Sequence, residues 1–143
     1  MKPELAALAT RFHSLHADGL LRLANAWDAG SARLAHAAGA RAIATSSAAV
    51  AWAHGWPDGD LLPVELLLQT TRAVAGASDL PLTIDIEGGY SDEPARVGEL
   101  VTALIEAGAV GINIEDGSKD PALLCAKIAA ARAAAREIGR AHV

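Results

Sequence analysis

Apolar residues recur every third or fourth position near the start of the chain, at Leu5, Leu8, Phe12 and Leu15, and predict an amphipathic helix over residues 3–16. Gly19 interrupts it, and a short apolar run over residues 20–24 predicts a first strand. Asp28, Ser31 and the group Leu34, Ala35 and Ala38 read as a capped helix closing at Gly39. A second strand is expected over residues 41–45, followed by a brief helix over 46–53 and a polar loop over 54–60. Pro63 opens a helix running to about residue 75, because proline costs nothing at a first helical position. The remaining pattern predicts a strand over 80–86, a helix over 94–107 ending at Gly108, a strand over 110–115 and a last helix over 121–138. Strands alternating with helices in this way are α/β layering, with parallel strands joined by right-handed crossovers.

Strands three and four carry the informative detail. A parallel sheet covered by helices should be apolar on both faces. Here Ile84 and Ile86 alternate with Asp85 and Glu87, while Ile112 and Ile114 alternate with Asn113 and Glu115. The isoleucines are expected to pack on outer helices, which turns Asp85, Glu87 and Glu115 inward near the strand ends. Three converging carboxylates repel unless a cation or protons offset them. A hard divalent ion with oxygen ligands, Mg2+, is the economical answer.

Composition narrows the classes. The 143 residues suit one domain, and 52% hydrophobic with 20% charged content excludes a disordered chain. A net charge of −5 without a Lys/Arg block argues against a nucleic-acid surface. No apolar stretch approaches the roughly 20 residues of a membrane span, and Pro3 and Glu4 interrupt any signal-like start. One cysteine excludes an internal disulfide and a multi-thiolate zinc site, and it suits a reducing cytoplasm. Cys125 is expected to pack within the last helix, and His13 and His16 to lie on the surface.

Several segments, each at a strand exit, resemble the isocitrate lyase/phosphoenolpyruvate mutase superfamily. They are Asn25-Ala26-Trp27-Asp28-Ala29-Gly30-Ser31-Ala32, Ala44-Thr45-Ser46-Ser47-Ala48, Gly55-Trp56-Pro57-Asp58, Thr83-Ile84-Asp85-Ile86-Glu87-Gly88-Gly89-Tyr90 and Gly111-Ile112-Asn113-Ile114-Glu115-Asp116. The resemblance implies a TIM-type (β/α) barrel that binds Mg2+ and a small 2-oxo acid or its enolate, and that cleaves or forms C–C or P–C bonds. It places the Mg2+ site at Asp85, Glu87 and Glu115, directly or through water, with Glu87 standing where most relatives carry Asp. It places a substrate carboxylate on Ser46, Ser47 and the Ala48 backbone, with Thr45 beside them, and matches Asp58 to an acidic residue near the reacting centre.

Two departures qualify the match. Isocitrate-type lyases carry a Lys-Lys-Cys-Gly-His loop after strand four, whereas this chain reads Asp116-Gly117-Ser118-Lys119-Asp120-Pro121, which disfavours isocitrate cleavage. A complete barrel needs about 250 residues, and the pattern here accounts for the first four βα units, a half-barrel treated as a single domain over residues 1–143. A truncated family member is the favoured reading, and closure by a second copy, a homo-oligomer, is the alternative. The function expected is a Mg2+-dependent lyase or mutase acting on a small 2-oxo acid or phosphonate; the competing reading is a non-catalytic half-barrel binding module or degenerate remnant. Without the resemblance, Asp28 reads as an N-cap and Asp58 as a turn residue, Ser46 and Ser47 read equally as caps of the short helix, and Asp92 and Glu93 read as helix-start acids. Gly88 and Gly89 read as a turn or as a hinge, and Tyr90 as a ligand-bonding or a packing residue.

Overall fold

In the computed structural model, which describes residues 3–17 and 19–137, the strands β1 (Ala24–Asn25), β2 (Ile43–Ala44), β3 (Leu82–Asp85) and β4 (Gly111–Asn113) lie side by side in chain order, all parallel. The helices are α1 (Pro3–Leu15), α2 (Ala29–Ala37), α3 (Ser47–Ala53), α4 (Val64–Ala77), α5 (Pro94–Ala107) and α6 (Pro121–Glu137). Neighbouring strands stay neighbours in sequence and every crossover carries a helix. That is the connectivity of a barrel wall; a doubly wound sheet reverses its strand order. None of the described helices is long and apolar enough to cross a membrane.

The strands are shorter than the hydrophobic pattern predicts. The expected strand over 20–24 begins only at Ala24, and Leu20 and Leu23 lie exposed because no neighbouring strand reaches them. Beyond the strand ends the hydrogen bonding continues singly, with the Thr45 N–H donating to the Thr83 carbonyl and the Ile86 N–H to the Asn113 carbonyl. The predicted last helix is found to Glu137, and residue 138 lies outside the described residues.

Alternation decides which face is which. Ile84 and Ile86 are fully buried in the core with Leu67 and Val74 of α4 and Val97, Val101 and Leu104 of α5. These α5 positions recur at three- and four-residue spacing, and the helix runs between Pro94 and the left-handed Gly108, as the pattern predicts. The opposite face carries Thr83 and Asp85. A methyl group at Gly111 would come within 2.7 Å of the Phe12 ring and 3.0 Å of Thr83 Oγ1, so the glycine admits α1 beneath this face. Phe12 packs there with Ala9, Leu15, Ala42 and Val110 as a second, smaller core.

α2 opens with a reciprocal cap: the Ser31 N–H donates to Asp28 Oδ1 at 2.6 Å and the Asp28 N–H to Ser31 Oγ at 3.1 Å. The Ser31 N–H first, and then the Ser31 hydroxyl donating to Asp28 Oδ1 at 2.7 Å, hold the Asp28 carboxyl below the usual range. Cys125 is exposed, contrary to the expected packing. The face of α6 turned inward runs through Lys127, Ala131 and Ala135 at helical spacing, and position 125 falls off it.

Candidate functional site at the strand ends

Asp85 ends β3 half-buried, and three neighbours fix it. The Ser47 N–H donates to Asp85 Oδ2 at 3.1 Å, the Glu87 N–H donates to Oδ1 at 3.1 Å, and the Asp85 N–H donates to Thr45 Oγ1 at 2.9 Å. The segment after β2 and the carboxylate after β3 therefore form one unit. Ser46 stands at the N-cap of α3 without a side-chain cap bond, and Ser47 and Ala48 begin that helix half-buried.

Glu87 does not share the face of Asp85. Period-two alternation holds only as far as the strand, which stops at Asp85, and Glu87 then adopts φ 51°, in the left-handed region. The turn redirects its side chain to the loop after α3. Glu87 Oε2 accepts the N–H of Gly59 at 2.6 Å and of Asp60 at 2.5 Å, and Oε1 accepts the Tyr90 hydroxyl at 3.0 Å. Glu115 is exposed, its N–H bonded to the Glu87 carbonyl at 2.9 Å. Among the described residues no three acidic, His or Cys side chains are gathered as a cation site. The expected meeting of Asp85, Glu87 and Glu115 at one point is thus not what the side chains do, because one of the three is committed elsewhere.

Asp58 is exposed in the same loop, immediately before the two N–H groups that Glu87 holds. Asp60, unremarked in the sequence, takes part as well: its Oδ1 accepts the Tyr90 N–H at 3.0 Å. A Cβ at position 88 would lie 2.5 Å from Asp60 Oδ2, so Gly88 leaves the room that this carboxylate occupies. Gly89, with φ 91°, is packed against Val97 and Ile114, which makes the pair a tight turn. Burial, and then the charge of Glu87, push the Tyr90 hydroxyl far above its ordinary pKa, so it remains a donor.

A second missed residue supports the turn from behind. Lys127 of α6 is buried, donating from Nζ to the Gly88 carbonyl at 2.7 Å and to Asp92 Oδ1 at 3.1 Å. Lys119 also pairs with Asp92, so this acid links two lysines rather than simply facing a helix start. The sequence signal was available, since Lys127 precedes Ala131 and Ala135 by four and eight positions on the inward stripe. No Lys or Arg is paired with Asp85, Glu87 or Glu115 among the described residues.

The donor set tests the expected metal. Asp85 accepts two hydrogen bonds of the four or so that a carboxylate can take, and among the described residues no Lys or Arg is in an ion pair with it. Mg2+ keeps several waters and needs only one or two protein carboxylates. The oxygen chemistry beyond the ends of β3 and β4 would fit the ion, with the Asp85 carboxylate held at the end of β3 and Glu115 two residues past the end of β4.

A parallel α/β wall with polar groups gathered at the C-terminal ends of its strands is the architecture of barrel enzymes that bind ligands at that end. The phosphoenolpyruvate phosphomutase family matches residues 12–143, and the chain belongs to it. A Burkholderia cenocepacia structure described as a candidate phosphonomutase superposes with a TM-score of 0.89 at 42% identity, covering 94% of this chain and 58% of that one. 2-Methylisocitrate lyase of Escherichia coli is 33% identical over 97 residues, covering 67% of this chain and 33% of the relative. A phosphonopyruvate hydrolase solved with oxalate and Mg2+ superposes with a TM-score of 0.73 at 30% identity, covering 92% of this chain and 48% of that one. The chain spans 33–46% of the length of the curated relatives it matches.

Proposed function

We propose that this chain forms the first half of a (β/α) barrel and carries the metal-binding side of a Mg2+-dependent lyase or mutase active on a small 2-oxo acid or phosphonate. The observation that carries the reading is Asp85, placed at a strand C-terminal end by Thr45, Ser47 and Glu87, with no Lys or Arg of the described residues in an ion pair with it. The likeness to a hydrolase solved with oxalate and Mg2+ supports the same choice of ligand class.

Asp85 and Glu115 would hold the ion. When bound, the ion would draw negative charge onto the oxygens of a 2-oxo acid as the neighbouring bond breaks. Ser46 and Ser47 would bind the substrate carboxylate through their hydroxyls, together with the backbone N–H of Ala48 at the start of α3. Asp58, exposed in the loop after α3, would exchange or orient a proton at the reacting carbon. The Ser47 N–H itself is taken by Asp85, so substrate contact and carboxylate orientation would share one short segment. The remaining barrel strands would come from further chain or from a second copy, in a cytoplasmic setting.

Calorimetry with oxalate, a planar mimic of a pyruvate enolate, tests this reading. Binding that requires Mg2+ and disappears in Asp85→Ala is the expected result. Absence of binding at millimolar oxalate would reject it and leave the non-catalytic binding module as the better description.

A further inference from the structure

We propose that Glu87 is a positioning residue for the Asp58 loop and not an ion ligand. Both of its oxygens are used, Oε2 by the N–H groups of Gly59 and Asp60 and Oε1 by the Tyr90 hydroxyl, and the side chain is almost fully buried. The loop answers in kind, because Asp60 Oδ1 accepts the Tyr90 N–H. Two loops thus exchange carboxylates: the one after β3 gives Glu87 to the amides of 59 and 60, and the one after α3 gives Asp60 to the amide of 90.

The backbone records how firmly this is imposed. Asp60, Glu87 and Tyr90 have φ of 60°, 51° and 59°, left-handed values that non-glycine residues hold only when their surroundings over-determine them. All three sit in the exchange, and Gly88 between them leaves room for the Asp60 carboxylate. Asp58 directly precedes the two bonded amides, so its reach toward Asp85 is set by the Glu87 carboxylate. A glutamate's extra methylene fits this task, since the acceptor must leave the end of β3 and cross to a neighbouring loop. The clasp stands on these contacts alone; its consequence for Asp58 rests on the function proposed above.

Glu87→Gln preserves size and removes the charge. In 15N-labelled protein the Gly59 and Asp60 amide protons should move upfield and exchange about tenfold faster, because charge-assisted bonds become neutral ones. Titration with Mg2+ alone should give an affinity within about twofold of the unsubstituted chain, whereas Asp85→Asn abolishes it. Unmoved amides, or loss of Mg2+ affinity in Glu87→Gln matching that of Asp85→Asn, would overturn the proposal. If the unsubstituted chain binds no Mg2+, the metal reading fails, and the amide shifts alone decide the clasp. Should the Gln variant not fold, Glu87→Asp keeps the charge and shortens the reach: loss of the downfield amide positions supports the clasp, and their retention overturns it.

Discussion

The ammonium of Lys127 donates to the carbonyl of Gly88 at 2.7 Å, joining α6 to the turn that carries Glu87 and Tyr90. With its side chain 3% exposed, Lys127 contrasts with its ion-pair partner Asp92, at 61%. The carbonyl bond therefore carries the energetic weight, since the Asp92 side is screened by solvent.

Lys127→Met should lower stability by about 1–3 kcal/mol, the range for stripping a buried polar group of its charged partner. Urea unfolding measures this as a lower midpoint. Lys119→Met, removing an exposed lysine from the same acid, should leave the midpoint unchanged. Equal effects from the two variants would show that the Asp92 pairs, rather than the carbonyl bond, stabilise the turn.

Gly111→Ala should cost about 1–3 kcal/mol, because its methyl meets the Phe12 ring at 2.7 Å and a packed core resists added volume. Combined with Phe12→Leu, the loss should be smaller than the sum of the single losses, since the ring is what the methyl strikes. Strict additivity in a denaturant double-mutant cycle would remove α1 from beneath the sheet.

How much of this could be read beforehand depends on which interactions are local. Ile84 and Ile86 buried opposite Asp85, and α5 bounded by Pro94 and Gly108, follow from period and capping chemistry within a few residues. The family resemblance was likewise legible in the strand-exit segments and agrees with the family match. Glu87 departs from the alternation because β3 ends two residues before it, and nothing nearby in sequence announces a left-handed glutamate. Two of its partners, Gly59 and Asp60, lie 28 and 27 residues away, which no periodicity reveals. Cys125 failed for a different reason: α6 is alanine-rich on all sides, so its inward face is marked only by Lys127, Ala131 and Ala135.

Tyr90 is the only tyrosine of the chain, so its ionisation can be followed alone by ultraviolet difference absorbance. Burial first, and the Glu87 charge second, raise its folded-state pKa above the unfolded value of about 10. The folded chain then keeps a proton that the unfolded chain releases. Its contribution is complete below about pH 10 and declines as pH rises beyond that value. Tyrosinate absorbance should appear only as the chain unfolds, and Tyr90→Phe should flatten the alkaline fall in stability. Ionisation near pH 10 in a chain that remains folded would contradict the Glu87 contact.

The seat of Phe12 under Gly111 and Thr83 gives the would-be binding cleft a floor. Asp85 stands two residues along β3 from Thr83, a rise of about 6–7 Å in a strand. The Phe12 ring therefore closes the inner face of the sheet one side-chain layer below Asp85, and the loops beyond the strand ends are left to shape whatever approaches that carboxylate.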